Sequence, residues 1–353
     1  MWRRSTTHKE ISNRTKMSRK IGVIGAGSWG TALALLLAGK GEQVSLWGHR
    51  PDHVGLLLRE RENKRYLPGF CFPPGLSPTA DIKDAVDRAA VVCMVVPSHG
   101  YREVFSQVVP HASEHVIFVS ATKGIENNSL LTMTQVMEQC VAEAVVQISP
   151  ALAVLSGPSF AREVADGVPT AITVGSNDKK AAQELQNLFS TEYFRVYTSR
   201  DVIGLEISAA LKNIIAIAAG ICDGLEFGSN ARAALITRGL AEMTRLGKVL
   251  GAEQQTFFGL SGLGDLVLTC TGALSRNRHV GMELGRGKTL ESILDSMSMV
   301  AEGVKTTRSV YDLVRKLKVD MPILEQVYLI LYQDKDCRTA VRDLLNRDLK
   351  AEQ

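Results

Sequence analysis

Ile21-Gly22-Val23-Ile24-Gly25-Ala26-Gly27-Ser28-Trp29-Gly30-Thr31-Ala32-Leu33-Ala34 reads as a strand, a glycine turn and a helix in immediate succession. Gly25 permits the tight turn, Gly27 lets the backbone come up to a pyrophosphate, and Gly30 lets the helix pack closely on the sheet. The helix start beyond it offers N–H groups and a positive dipole end to phosphates. A bare G-x-G-x-x-G carries little weight. With strand and helix both in place, it predicts dinucleotide binding rather than a purely structural turn.

Outward from this stretch, short β-branched runs alternate with helical patterns as far as about residue 200. Strands are expected at residues 21–24, 43–47, 91–96, 115–119, 153–155, 170–174 and 194–197, with helices near 31–39, 99–109, 130–144 and 179–189. Continuous apolar strands between helices indicate a parallel sheet covered on both faces. Residues 68–75, rich in Pro and Gly, read as a long loop interrupting the alternation. Past residue 200 the strand signal stops. Residues 202–222, 231–250, 290–297, 309–317 and 325–333 have helical periodicity. The expected fold is α/β: a Rossmann-type, doubly wound, mainly parallel sheet over residues 20–200, followed by an all-α C-terminal domain over 201–353. Residues 1–19 form a flexible basic extension in this reading.

The chain has 353 residues, enough for two domains at about 150 residues each. Its 45% apolar and 22% charged content excludes disorder, collagen and low complexity. The net charge of +4 is unevenly spread. Residues 1–20 carry seven bases (Arg3, Arg4, Lys9, Arg14, Lys16, Arg19, Lys20) against Glu10, leaving the other 333 residues at −2. A nearly neutral body gives no support to a nucleic-acid surface. The extension lacks the apolar region of a secretory signal, and its apolar content is thin for a mitochondrial presequence. An upstream start before Met17 accounts for it equally well. Apolar runs such as 32–38 and 214–219 fall far short of the ~20 residues of a membrane span. Cys71, Cys93, Cys140, Cys222, Cys270 and Cys337 are scattered, with no CxxC and no His/Cys cluster. They read as buried small residues of a reducing compartment, not as disulfides or a zinc site. A soluble, cytoplasmic, metal-free protein is expected.

At the second strand's end stands Leu46-Trp47-Gly48-His49-Arg50, where NAD sites normally place an acid; the first acid is Asp52, beyond Pro51. Arg50 there suits a ribose 2′-phosphate, which favours NADP(H), although a solvated loop arginine would look the same. Lys123, in Thr122-Lys123-Gly124, follows another buried strand, where a lone lysine is more often solvent-facing. Ser156-Gly157-Pro158-Ser159-Phe160-Ala161 turns into a helix and reads equally as substrate loop or plain turn. Lys212-Asn213 interrupts an otherwise apolar, buried helix. A buried lysine needs a partner or a reason, unless it snorkels to the surface. Asp265 stands alone among apolar and glycine residues, and Ser275 caps a helix starting near Arg276, an anion-binding end beside a guanidinium. The bland alternative leaves Arg276 and Arg278 on a solvated face.

Together these segments, with Gly262-Leu263-Gly264-Asp265-Leu266, Ser275-Arg276-Asn277-Arg278 and Ala301-Glu302-Gly303, resemble the bacterial-type NAD(P)-dependent glycerol-3-phosphate dehydrogenases from about Lys20 to the C-terminal helices. The resemblance implies reversible reduction of dihydroxyacetone phosphate to sn-glycerol 3-phosphate with NADPH or NADH, for phospholipid synthesis. It assigns Lys212 as proton donor and acceptor, with a pKa lowered by burial and by Lys123. Asp265 orients Lys212 or the substrate hydroxyl. Ser275, Arg276 and Asn277 hold the substrate phosphate, with Gly157 and Ser159 completing the pocket. Besides Gly25, Gly27 and Gly30, the cofactor is assigned Ser28, Trp29, His49, Arg50, Lys123, Ala161, Arg276 and Glu302. A homodimer without metal is expected. Rival readings are another two-domain dehydrogenase, of hydroxyacid, ketopantoate or 6-phosphogluconate type, or a silent dinucleotide sensor. Ser275–Arg278 and Lys212-Asn213 favour the glycerol-phosphate reading over the first. Retention of Lys123, Lys212 and Asp265 speaks against the second.

Overall fold

Eight strands lie side by side in one sheet, and the chain reverses its direction of growth across that sheet after the first few. The computed structural model describes residues 18–297, 301–349 and 351; most of the basic extension, residues 1–17, lies outside the described residues. In chain order the first half runs β1 (Lys20–Ile24), α1 (Ser28–Gly39), β2 (Gln43–Trp47), α2 (Pro51–Glu60), β3 (Glu62–Asn63), β4 (Leu67–Cys71), β5 (Leu76–Thr79) and α3 (Ile82–Val86). It continues with β6 (Val91–Met94), α4 (Tyr101–Val108), β7 (Ile117–Ser120), α5 (Met133–Glu143), β8 (Ala151–Ser156), α6 (Ala161–Ala165), β9 (Thr170–Gly175), α7 (Lys179–Phe189) and β10 (Phe194–Ser199).

Strand order across the sheet is β10-β9-β8-β7-β6-β1-β2-β5. β1 pairs parallel with β2 on one side and β6 on the other, so the crevice at a reversal of strand order opens beyond the carboxyl end of β1. The seven expected strands are all present. One expectation needs correction. Residues 68–75 are not a plain loop, because β4 forms an antiparallel hairpin with β3 and the chain then enters β5. β5 extends the sheet beyond β2, and Pro78 is tolerated because an edge strand needs no donor on its open side. The sheet is mainly parallel, as expected, and its one antiparallel pair among the described residues is β8 with β9. The connection between them starts the next strand at the edge where β8 ended, with no crossover back along the sheet.

The second half is α8 (Val202–Gly224), α9 (Gly228–Val249), α10 (Gln254–Phe258), a π-type turn at Leu260–Gly264, α11 (Asp265–Thr271), α12 (Arg276–Gly285), α13 (Leu290–Ser296), α14 (Glu302–Leu317), α15 (Pro322–Tyr332) and α16 (Cys337–Leu345). α8 is buried on every side from Gly204 to Cys222. By length and composition it is apolar enough to cross a membrane, which a count of its uninterrupted apolar runs understates, yet 94% of that window is buried inside the protein. α12 packs against it through glycines. A Cβ on Gly220 would fall 2.0 Å from Arg278 O, and one on Gly281 would fall 1.9 Å from Ile217 O. This close approach brings the start of α12 beside Asn213, one residue past Lys212.

Candidate active site

The glycine turn closes on itself and leaves one side open. Gly25 has φ +127°, and a Cβ there would lie 2.4 Å from Val95 O; a Cβ on Gly30 would lie 1.9 Å from Gly25 O. Both glycines are demanded by the protein's own packing. Gly27 is not, because nothing stands within 4 Å of its Cβ position. That clear space lies at the start of α1, whose first intrahelical bond is Thr31 N–H to Gly27 O at 2.9 Å. A backbone cradle beside a helix's positive end fits a pyrophosphate.

Around the cradle, Ser28 donates to Tyr66 O at 2.6 Å. Trp29 is half-buried, and its Nε1 has no hydrogen-bond partner among the described residues. His49 is exposed, and Arg50 caps the start of α2. The Arg50 guanidinium lies 3.7 Å from Asp52 Oδ2 across an exposed pair. The acid displaced beyond Pro51 thus returns beside the arginine. Ala161 is the first residue of α6. Glu302, first in α14, accepts a hydrogen bond from the buried Ser98 Oγ at 2.9 Å, tying the carboxyl end of β6 to the helical half.

Beyond the sheet's carboxyl edge two lysines meet one carboxylate. Lys212 Nζ donates to Asp265 Oδ1 at 2.8 Å and to Thr269 Oγ1 at 2.7 Å. Lys123 Nζ donates to Asp265 Oδ2 at 2.7 Å and to Gly157 O at 3.0 Å. The Lys212 and Asp265 side chains are only 7% and 1% exposed, so Lys212 does not snorkel out of the helix. Burial pushes its pKa down to about 8; the Asp265 charge opposes this and the Lys123 ammonium adds to it. Burial alone would raise the Asp265 carboxyl, but the two ammonium groups outweigh it and hold it below the usual range. Thr269 completes the set, donating to Asp265 O at 2.6 Å. No sequence motif marks Thr269, although a hydroxyl four residues after an acid on one helix shares its face. Gly157, at φ +143°, offers a carbonyl that also takes the Ser159 hydroxyl at 3.1 Å. Its demonstrable contact is therefore with Lys123.

At α12, Ser275 Oγ accepts from Arg278 N–H at 3.3 Å, capping the helix. Arg276 is exposed and makes no side-chain hydrogen bond or ion pair with the described residues, facing only the charge of Glu302. Arg278 is different: it pairs with Asp223 at 2.7 Å, so it belongs to the scaffold and not to a solvated face. The Asn277 side chain is engaged within the protein. Nδ2 donates to Asn213 Oδ1 and Oδ1 accepts from Gly303 N–H, both at 2.9 Å. Position 277 faces α8, and a buried amide there has to spend its groups on the neighbouring helices. That leaves its main chain at the helix start, and not its side chain, for a ligand. Among the described residues no group of three His, Cys, Asp or Glu could hold a metal ion.

Family models described as the N-terminus and the C-terminus of NAD-dependent glycerol-3-phosphate dehydrogenase match residues 20–182 and 201–342. A protein of Desulfotalea psychrophila named glycerol-3-phosphate dehydrogenase [NAD(P)+] is 58% identical over 338 residues, covering 96% of this chain and all of that one. One of the same name from Syntrophotalea carbinolica is 54% identical, over 94% of this chain and 99% of that one. The solved glycerol-3-phosphate dehydrogenase of Coxiella burnetii superposes with a TM-score of 0.90 at 42% identity, covering 94% of this chain and 99% of that one.

Proposed function

The chain belongs to the family of NAD-dependent glycerol-3-phosphate dehydrogenases, and from that premise we propose which of its residues carry the reaction. It is an NAD(P)-dependent oxidoreductase that interconverts dihydroxyacetone phosphate and sn-glycerol 3-phosphate. The shared carboxylate of Lys212 and Lys123 carries our reading of the chemistry. When bound, the nicotinamide exchanges hydride with the substrate's central carbon. The oxygen on that carbon then needs a proton in one direction and must lose one in the other. Lys212 Nζ, aimed by Asp265 and Thr269, gives and takes that proton, and its pKa of about 8 suits both directions. Lys123 supplies a second positive charge near the developing oxyanion. Asp265 serves as the orienting group, since both its oxygens are engaged by ammonium groups.

The exposed guanidinium of Arg276 and the Ser275-capped start of α12 receive the substrate phosphate, with the Asn277 main chain beside them and Ser159 at the border. Gly25, Gly27 and Gly30, with Ser28 and Trp29, hold the pyrophosphate end of the cofactor. His49 and Arg50 lie at the adenosine end, where Arg50 favours NADP(H), and Lys123, Ala161, Arg276 and Glu302 border the remainder. We assign residues 20–200 to cofactor binding and 201–353 to substrate and proton transfer.

The product supplies a phospholipid backbone in this reading. All six cysteines are free, which supports a reducing, cytoplasmic compartment. Exposed Phe227 and Leu345 flank an apolar cavity of about 790 Å³ lined by Leu235, Ile323, Val327 and Leu344, which supports a homodimer. The test of the central reading is NADPH oxidation on dihydroxyacetone phosphate, against a panel of 2-ketoacids and ketopantoate. Turnover on a ketoacid but not on the triose phosphate would overturn it.

A further inference from the structure

Asn63 is fully buried at the end of β3. Its Nδ2 donates to Ala26 O at 3.0 Å, inside the glycine turn, and to Thr31 Oγ1 at 2.8 Å, in the first turns of α1. Its Oδ1 accepts from Tyr66 N–H at 3.3 Å and meets His53 Nε2 of α2, also at 3.3 Å. The amide has one workable orientation, because Ala26 O can only accept and Tyr66 N–H can only donate. The Tyr66 carbonyl in turn takes the Ser28 hydroxyl. The hairpin therefore grips the turn at Ala26 and at Ser28, one residue on either side of Gly27. Through His53 the same amide reaches the helix whose start carries Arg50.

We propose that Asn63 is a positioning residue for the cofactor: it fixes the backbone on both sides of Gly27, and the start of α2, in the shape the dinucleotide phosphates require. The proposal rests on the reading that this turn holds the pyrophosphate. Without the amide, Ala26 O is a buried acceptor lacking its donor, and the turn must be ordered at the moment of binding. Lys212, Asp265 and Arg276 make no contact with Asn63, so the chemical step and substrate binding are untouched.

The experiment uses the full chain with Asn63→Ala and Asn63→Asp; the latter turns a carboxylate oxygen toward Ala26 O. Thr31→Val removes only one of the two acceptors, and Gly27→Leu fills the open side of the turn. The KM for NADPH is expected to rise about tenfold in both Asn63 variants, and about threefold in Thr31→Val. kcat at saturating NADPH, and the KM for dihydroxyacetone phosphate, stay within about twofold of wild type. A residue with a merely structural role would lower kcat and stability without this split. If the Asn63 variants do not fold, Thr31→Val carries the test. An unchanged KM for NADPH in every folded Asn63 and Thr31 variant, with Gly27→Leu unable to bind NADPH, overturns the role of Asn63 alone. Normal NADPH binding by Gly27→Leu overturns the pyrophosphate reading and this proposal with it.

Discussion

Lys212 and Lys123, 89 residues apart in sequence, share one carboxylate: their ammonium nitrogens lie 2.8 Å and 2.7 Å from the two oxygens of Asp265. One anion between two cations leaves a positive charge uncompensated among these three side chains. Among side chains this buried, that charge is well placed for an oxygen that becomes negative during the reaction. The arrangement also joins the two halves of the chain, since Lys123 follows β7 while Lys212 and Asp265 lie on α8 and α11.

The Lys212 pKa of about 8 gives the two directions opposite pH profiles. Reduction of dihydroxyacetone phosphate needs the proton on Lys212, so its kcat should be level below pH 8 and fall above it. Oxidation of glycerol 3-phosphate needs the neutral amine and should rise through the same range. Lys212→Ala should lose both profiles with a ~10²–10⁴-fold drop in kcat, while NADPH affinity stays near wild type. Near-normal turnover in that variant would remove Lys212 from the chemistry. Stopped-flow and steady-state rates from pH 6 to 10 supply the comparison.

Asp265→Asn separates charge from shape. The carboxylate is what opposes the fall of the Lys212 pKa, so its loss should move that pKa further down. The high-pH limb of the reduction profile then shifts to lower pH, and kcat at neutral pH falls by about 10-fold or more, because less of the lysine carries its proton. An unmoved limb would show that Asp265 does not govern Lys212.

Cofactor choice should respond in opposite senses to the two members of an exposed pair. Arg50 and Asp52 stand 3.7 Å apart at the start of α2. Arg50→Ala should weaken NADPH about tenfold or more and NADH little, since only NADPH carries a 2′-phosphate. Asp52→Asn removes a negative charge from the same place and should improve NADPH relative to NADH by a few-fold, an effect that fades with added salt. Equal changes for both cofactors in Arg50→Ala would withdraw the 2′-phosphate assignment.

The parts of this molecule that were legible in its sequence are those set by short-range rules. The strand, glycine turn and helix over Ile21–Ala34 need only local chemistry, and so does the Ser275 cap of α12. Lys212 was conspicuous because desolvation makes a lysine in an apolar helix costly. The direction of β9 was not legible, since it depends on where the preceding connection lands and not on the strand's own residues. Asn277 and Asn63 were obscure for a related reason. An asparagine's hydrogen-bond partners are fixed by which neighbours the fold brings up, and these lie 64 residues away at Asn213 and 37 away at Ala26. The charged motif at the start of α12 was visible in the sequence, while the different partners of the residues inside Ser275–Arg278 appeared only with the packing of α12 on α8.

That difference in partners decides the last prediction. Of the two arginines there, Arg278 is tied to Asp223, which it shares with Arg232, whereas Arg276 is exposed and without an ion-pair partner among the described residues. A phosphate dianion needs compensating charge, and a guanidinium beside a capped helix start offers a planar pair of donors next to aligned N–H groups. Lysine would keep the charge and lose the fork. Both Arg276→Ala and Arg276→Lys should therefore cut kcat/KM for dihydroxyacetone phosphate by about 10²-fold or more, the loss of a charge-assisted, bidentate contact. Dihydroxyacetone has no phosphate, and its already low turnover should change far less. Arg278→Ala should instead lower the melting temperature, since Asp223 loses one of its two arginine partners and keeps only Arg232. The ratio of the two substrates' kcat/KM is the quantity to measure: if Arg276→Ala leaves it unchanged, Arg276 does not read the phosphate.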